Sequence, residues 1–128
     1  MDPRENLLDH YENPRNKGSL ERADRSHELR NPVCGDQIRI EVSLTTDNLI
    51  EHVGFDGRGC VVSQAAASML CEAIEGKPMS EACELPGQFV LDMIGVPLSA
   101  TRVKCALLAL ETLKRALACA QLTPASNL

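Results

Sequence analysis

From Gln37 to Leu44 the chain alternates strictly, with Ile38, Ile40, Val42 and Leu44 apolar and Arg39, Glu41 and Ser43 polar between them. A period of two is that of a strand with one buried face. Thr45-Thr46-Asp47-Asn48 follows as a cluster of turn formers, and the run from Leu49 to Phe55 predicts a second strand, most simply the hairpin partner of the first. After Cys60 the period changes. Val61, Val62, Ala65, Ala66, Met69, Leu70, Ala73 and Ile74 recur at spacings of three and four, predicting a helix that Gly76-Lys77-Pro78 stops. Cys60 would then sit at or just before a helix N-terminus, where free amides and the positive end of the helix dipole favour a thiolate.

The remaining elements are read in the same way. Ser80 to Cys83 and Pro86 to Ile94 look like short helical pieces parted by Leu85-Pro86-Gly87. Thr101 to Ala120 is a long amphipathic helix with Val103, Ala106, Leu107, Leu110, Leu113 and Leu117 as its apolar stripe, and Cys105 lies in its first turn or two. Near the N-terminus, Glu5 to Glu12 forms a short helix with Leu7, Leu8 and Tyr11 on one side, ended by Asn13-Pro14. Ser19 to Arg30 has no clear period, and one strand is expected near its end. Strands come first and helices follow, so the expected class is α+β: a small antiparallel sheet of about three strands with helices packed on one face. The chain reads as a single domain over residues 1–128, with Ala120 to Leu128 as a loose tail.

Composition narrows the field. Of 128 residues, 44% are hydrophobic and 24% charged, enough for a real core and unlike a disordered chain. Thirteen Lys and Arg against eighteen Asp and Glu give a net charge of −5, with no basic run to track phosphates, which argues against a nucleic-acid partner. Met1-Asp2-Pro3-Arg4-Glu5-Asn6 has neither the basic start and apolar core of a secretory signal nor the Arg-rich character of a transit peptide. No apolar run approaches the roughly 20 residues that span a bilayer, so a cytoplasmic protein without membrane partners is expected.

Six cysteines in such a compartment read as thiols, metal ligands or redox groups rather than structural disulfides. They fall into two classes. Cys34, within Asn31-Pro32-Val33-Cys34-Gly35-Asp36, and Cys60, within Gly57-Arg58-Gly59-Cys60, lie in glycine-bearing loops that can turn tightly and leave a thiol exposed; Cys105 follows Arg102-Val103-Lys104. Cys71, Cys83 and Cys119 lie among Ala, Met and Leu and are expected to pack as small core residues. Asp36 adds a carboxylate two residues after Cys34. Cys34, Asp36, Cys60 and Cys105 make four donors, the number that a tetrahedral zinc site or a small iron–sulfur cluster needs. Lys104 and Arg58 are the cations expected to favour the thiolates. His10, His27 and His52 have no ligand-like spacing and are read as solvated or hydrogen-bonded side chains.

Four segments carry a resemblance. Asp9-His10-Tyr11-Glu12-Asn13-Pro14-Arg15-Asn16, Asn31 to Asp36, Phe55 to Cys60 with Ser63-Gln64-Ala65, and Arg102 to Leu108 resemble, in order and over nearly the whole chain, the U-type iron–sulfur cluster assembly proteins, the IscU, NifU N-terminal and SufU group. The resemblance implies the compact α+β fold, a shell of Cys34, Asp36, Cys60 and Cys105, and sulfur supplied by a cysteine desulfurase. It further implies a donor of iron or electrons and transfer of a transient iron–sulfur cluster, of the 2Fe–2S type, to apoproteins. Two features depart from the scaffold branch. Lys104 stands where that branch has histidine, and Pro97-Leu98-Ser99-Ala100-Thr101-Arg102 replaces its Leu-Pro-Pro-Val-Lys signature. Both Lys104 and the Ser-Gln-Ala segment resemble the SufU branch, some members of which use zinc and carry sulfur. The alternative is therefore a zinc-dependent sulfurtransferase with Cys105 as candidate sulfur acceptor. Only 44 residues separate Cys60 from Cys105, too few for the insertion typical of SufU, so the chain mixes the two branches. Sequence leaves the metal open.

Overall fold

The computed structural model describes residues 1–32 and 35–119; Cys34 and the tail predicted over residues 120–128 lie outside the described residues. The elements run α1 (Pro3–Glu12), β1 (Arg25–Arg30), β2 (Gln37–Leu44), β3 (Ile50–Arg58), α2 (Val61–Ile74), α3 (Met79–Cys83), α4 (Gly87–Ile94) and α5 (Ala100–Ala116). The strands form one antiparallel sheet in the order β1-β2-β3, as the α+β expectation requires. Ile38 pairs with Gly57, Ile40 with Phe55 and Val42 with Val53, and directly opposed residues share a face. The alternation of β2 thus becomes one apolar face of the sheet. Helix α5 packs on β1 and β2, and α2 packs on β3 and on α5, so Ile38, Ile40, Val42 and Phe55 are enclosed with Leu70, Ile74 and Leu113. Each such side chain contributes about 1.5–3 kcal/mol by leaving water.

The unassigned stretch before β1 completes the far edge of the sheet. Asn16 O accepts the Phe55 N–H at 2.9 Å and the Gly18 N–H donates to Phe55 O at 2.8 Å, so this segment satisfies backbone groups that β3 would otherwise leave open. Strand β1 itself, Arg25 to Arg30, falls at the end of the region whose sequence showed no period.

Three boundaries or faces differ from expectation. Helix α1 begins at Pro3, behind an Asp2 cap that accepts the Glu5 N–H at 3.0 Å. It turns His10 inward, whereas Leu8 and Tyr11 remain exposed. The buried imidazole is partnered: Ser68 Oγ lies 2.8 Å from its Nδ1, and the same oxygen accepts the Arg15 N–H at 2.8 Å. Burial, and next the Arg15 charge, hold this histidine below its ordinary value. Helix α5 ends at Ala116 rather than running to Ala120. Ala118 adopts φ 54°, and its N–H and that of Cys119 donate back to Arg115 O and Lys114 O at 3.1 and 3.0 Å, the Schellman pattern. No glycine marks this stop. Among the described residues no helix is long and apolar enough to cross a membrane.

Candidate functional site

Three elements meet at one end of the sheet. Asp36 lies just before β2, where the Gly35 N–H donates to Asn31 O at 2.7 Å and the Asn31 N–H donates to Asp36 O at 2.8 Å; Gly35 sits at φ +76°, where a side chain would be strained. Cys60 is the N-cap of α2, its sulfur accepting the Ser63 N–H at 3.5 Å. Cys105 lies in the second turn of α5. The carboxylate oxygen of Asp36 and the sulfurs of Cys60 and Cys105 all lie within 4.8 Å of one another, and among the described residues this is the one such cluster of metal-ligating groups.

The carboxylate is fixed rather than loose. Asp36 Oδ1 accepts the Cys60 N–H at 3.1 Å, and the Cys60 thiol donates to Oδ2 at 3.3 Å. Asp36 is only 2% exposed and Cys105 fully enclosed, while Cys60, expected to leave its thiol exposed, is half-buried. Burial alone would raise the Asp36 pKa. Hydrogen bonds from the Cys60 and Cys105 thiols, the Cys60 N–H and Ser63 outweigh it and hold the carboxyl below its ordinary value. Gly59 makes the approach possible: at φ +148°, a Cβ placed there would overlap the Asp36 carboxylate.

The cation at the sulfurs is Arg102, rather than the expected Lys104 or Arg58. The charge that Cys60 carries once it ionises, together with hydrogen bonds to Cys60 and Cys105, holds its guanidinium proton above the ordinary value. Helix spacing carried the signal: residues three apart share a face, so Arg102 stacks with Cys105, whereas Lys104, one residue away, points about 100° aside. Ser63 and Gln64 form a further layer that the spacing argument missed. Ser63 Oγ donates to Cys60 O, and Gln64 Nε2 donates to Ser63 Oγ, both at 3.2 Å.

The other cysteines lie elsewhere. Cys71 is fully enclosed in α2, and burial pushes its thiol far up, so it is an inert core residue as expected. Cys83 and Cys119 are buried too, but they are bonded to one another as a disulfide, their Cα atoms 5.5 Å apart. This corrects the reading of both as packed thiols. A pair 36 residues apart in sequence announces itself only once α3 and the end of α5 are side by side.

Comparison with known proteins adds an independent line. A SufU described as a zinc-dependent sulfurtransferase, from Bacillus subtilis, is 35% identical over 133 residues, covering 90% of this chain and 88% of the relative. The iron–sulfur cluster assembly scaffold protein IscU 1 of Archaeoglobus fulgidus is 37% identical over 111 residues, covering 87% of this chain and 71% of the relative. A crystal structure of a candidate iron–sulfur cluster assembly scaffold protein of the SUF system from Fervidobacterium islandicum superposes with a TM-score of 0.72 at 29% identity, over 88% of this chain and 94% of that one. Residues 3–122 match the NifU-like N terminal domain, and with the fold and the Asp–Cys–Cys cluster in place the chain belongs to that family, whose relatives here are the IscU and SufU proteins.

Proposed function

We propose that the chain is a cytoplasmic iron–sulfur cluster assembly scaffold, which takes sulfur from a cysteine desulfurase, holds iron and sulfide as cargo on Cys34, Asp36, Cys60 and Cys105, and hands the finished cluster to apoproteins. The observation that carries this reading is the convergence of two sulfurs and one carboxylate, from three different elements, within 4.8 Å. Cys34, two residues before Asp36, supplies a fourth donor. The donor set fits the cargo. Thiolates are soft ligands for iron. The carboxylate is a harder and weaker partner for iron, so the shell opens most easily at Asp36. A carrier has to let go.

The same donors suit zinc, and two observations favour a second reading, zinc-dependent sulfur transfer: the Bacillus subtilis relative and the guanidinium against both sulfurs. Zinc would be held by the same four residues and would keep their sulfurs as thiolates. Cys105 is the candidate acceptor, although Cys60 is the more accessible of the two described sulfurs.

Anaerobic purification with metal and acid-labile sulfide analysis separates the readings. Mixed with iron, cysteine and a cysteine desulfurase, the scaffold develops the visible absorption of a thiolate-bound cluster and passes it to apo-ferredoxin. Cys34→Ser, Cys60→Ser and Cys105→Ser each abolish stable assembly, and Cys71→Ala leaves it intact. Zinc without sulfide, together with faster desulfurase turnover, would instead establish the sulfur-transfer reading.

A further inference from the structure

The disulfide lies far from the proposed site yet on the same helix. Cys105 is in the second turn of α5, and Cys119 follows the end of that helix, 14 residues and roughly 20 Å farther along at about 1.5 Å per residue. One end of α5 is thus tied through Cys105 and Arg102 to Asp36 and α2. The other end is tied by Cys83–Cys119 to α3. The second tie holds an awkward piece of backbone. Ala118, exposed and at φ 54°, occupies the left-handed position that helix ends usually give to glycine, and Cys119 is the residue whose N–H closes the cap on Lys114 O. An alanine there disfavours the cap, and the bond to Cys83 holds the next residue in place.

We propose that Cys83 and Cys119 form a reversible thiol–disulfide couple, distinct from the metal-ligating cysteines, that fastens the C-terminal end of α5 to α3 when oxidised and releases it when reduced. The oxidant is a small-molecule disulfide such as oxidised glutathione. One cysteine thiolate attacks a glutathione sulfur, forming a mixed disulfide and expelling one glutathione thiolate; the second cysteine attacks the protein sulfur of that mixed disulfide, closing Cys83–Cys119 and expelling the other. Each departing glutathione takes up one of the two protons that the cysteines lose. The protein pair gives up two electrons and glutathione disulfide accepts them. Both sulfurs belong to buried residues, at 7% and 6% exposure, so exchange requires the exposed Ala118 cap to unwind first. Cys60 and Cys105 lie together at the other end of the helix.

The test equilibrates the full-length protein anaerobically in glutathione buffers of graded ratio, followed by acid quenching, differential alkylation and peptide mass spectrometry. Cys83 and Cys119 should protect each other from alkylation in one joint transition, with the ratio of bonded to reduced protein rising tenfold for each tenfold rise in oxidised glutathione at fixed reduced glutathione, about the slope of a two-electron exchange. Hydrogen exchange at the Ala118 and Cys119 amides should be about tenfold faster in the reduced protein, the population shift set by the left-handed penalty at Ala118. In Cys83→Ser those amides should exchange fast in every buffer; the parent readings decide the matter even if this variant folds poorly. Separate titration of the two cysteines, a bond untouched by excess glutathione, thiols untouched by its disulfide, or unchanged amide exchange on reduction would each overturn the proposal.

Discussion

Gly59→Ala bears most directly on how the backbone builds the site. Gly59 lies at φ +148°, which side-chain-bearing residues rarely adopt, and its added Cβ would overlap the Asp36 carboxylate. Holding alanine in such backbone costs about 1–3 kcal/mol. Pushing Asp36 aside also breaks the bonds from the Cys60 N–H at 3.1 Å and the Cys60 thiol at 3.3 Å, and losing a hydrogen bond to a charged group costs about 1.5–3 kcal/mol. Counting the loss of one such bond, the sum is about 2.5–6 kcal/mol, which corresponds to a fall in Tm of roughly 10–25 °C for a chain of this size. Calorimetry and urea unfolding of the metal-free protein measure it. Cobalt or cadmium binding, followed by ligand-to-metal absorption, should weaken roughly 10- to 100-fold, as when a residue that orients a metal ligand is lost. If Gly59→Ala keeps both Tm and metal affinity, the carboxylate is not held where the geometry places it, and the site is built from other donors.

Asp36→Ala separates the two functional readings by sign: in a scaffold the cluster should live longer and transfer to apo-ferredoxin more slowly, whereas in a zinc-dependent sulfur acceptor zinc affinity and desulfurase stimulation should fall together. His10 titrates below its ordinary value of 6.5 because it is buried near Arg15, so the unfolded chain binds its proton first; stability should be full above pH 6.5 and decline as pH falls from there toward the lower folded value. Urea unfolding across pH 5–8 checks this, and His10→Gln should flatten the slope. Cys83→Ser in the oxidised protein reopens a loop of 36 residues, which the chain-entropy estimate puts at about 4 kcal/mol of lost stability by urea unfolding. Ala118→Gly should stabilise by about 1 kcal/mol, since glycine takes up the left-handed backbone without the Cβ penalty.

The sheet and its main helices were legible from the chain because their signals are local. The alternation from Ile38 to Leu44 states which face of β2 is buried, and the three- and four-residue spacing after Cys60 states which face of α2 is. Glycines at 35 and 59 likewise announced that the two loops turn tightly near cysteines, so Asp36 and Cys60 could be singled out as candidate donors before any fold was known, with Cys105 added by the resemblance. What the chain could not state was how those donors are held. That Asp36 is buried and that His10 rather than Tyr11 faces inward follow from tertiary packing, in which α1 lies on α2 and α2 on α5. The early stop of α5 is of the same kind: no glycine marks it, and Leu117 and Ala118, both good helix formers, would continue the run. Cys83 and Cys119 look like core thiols from their neighbours alone, and only tertiary structure sets two cysteines 36 residues apart at bonding distance. Periodicity fixes the face that an element buries; which side chains meet across elements is decided when those faces close on one another.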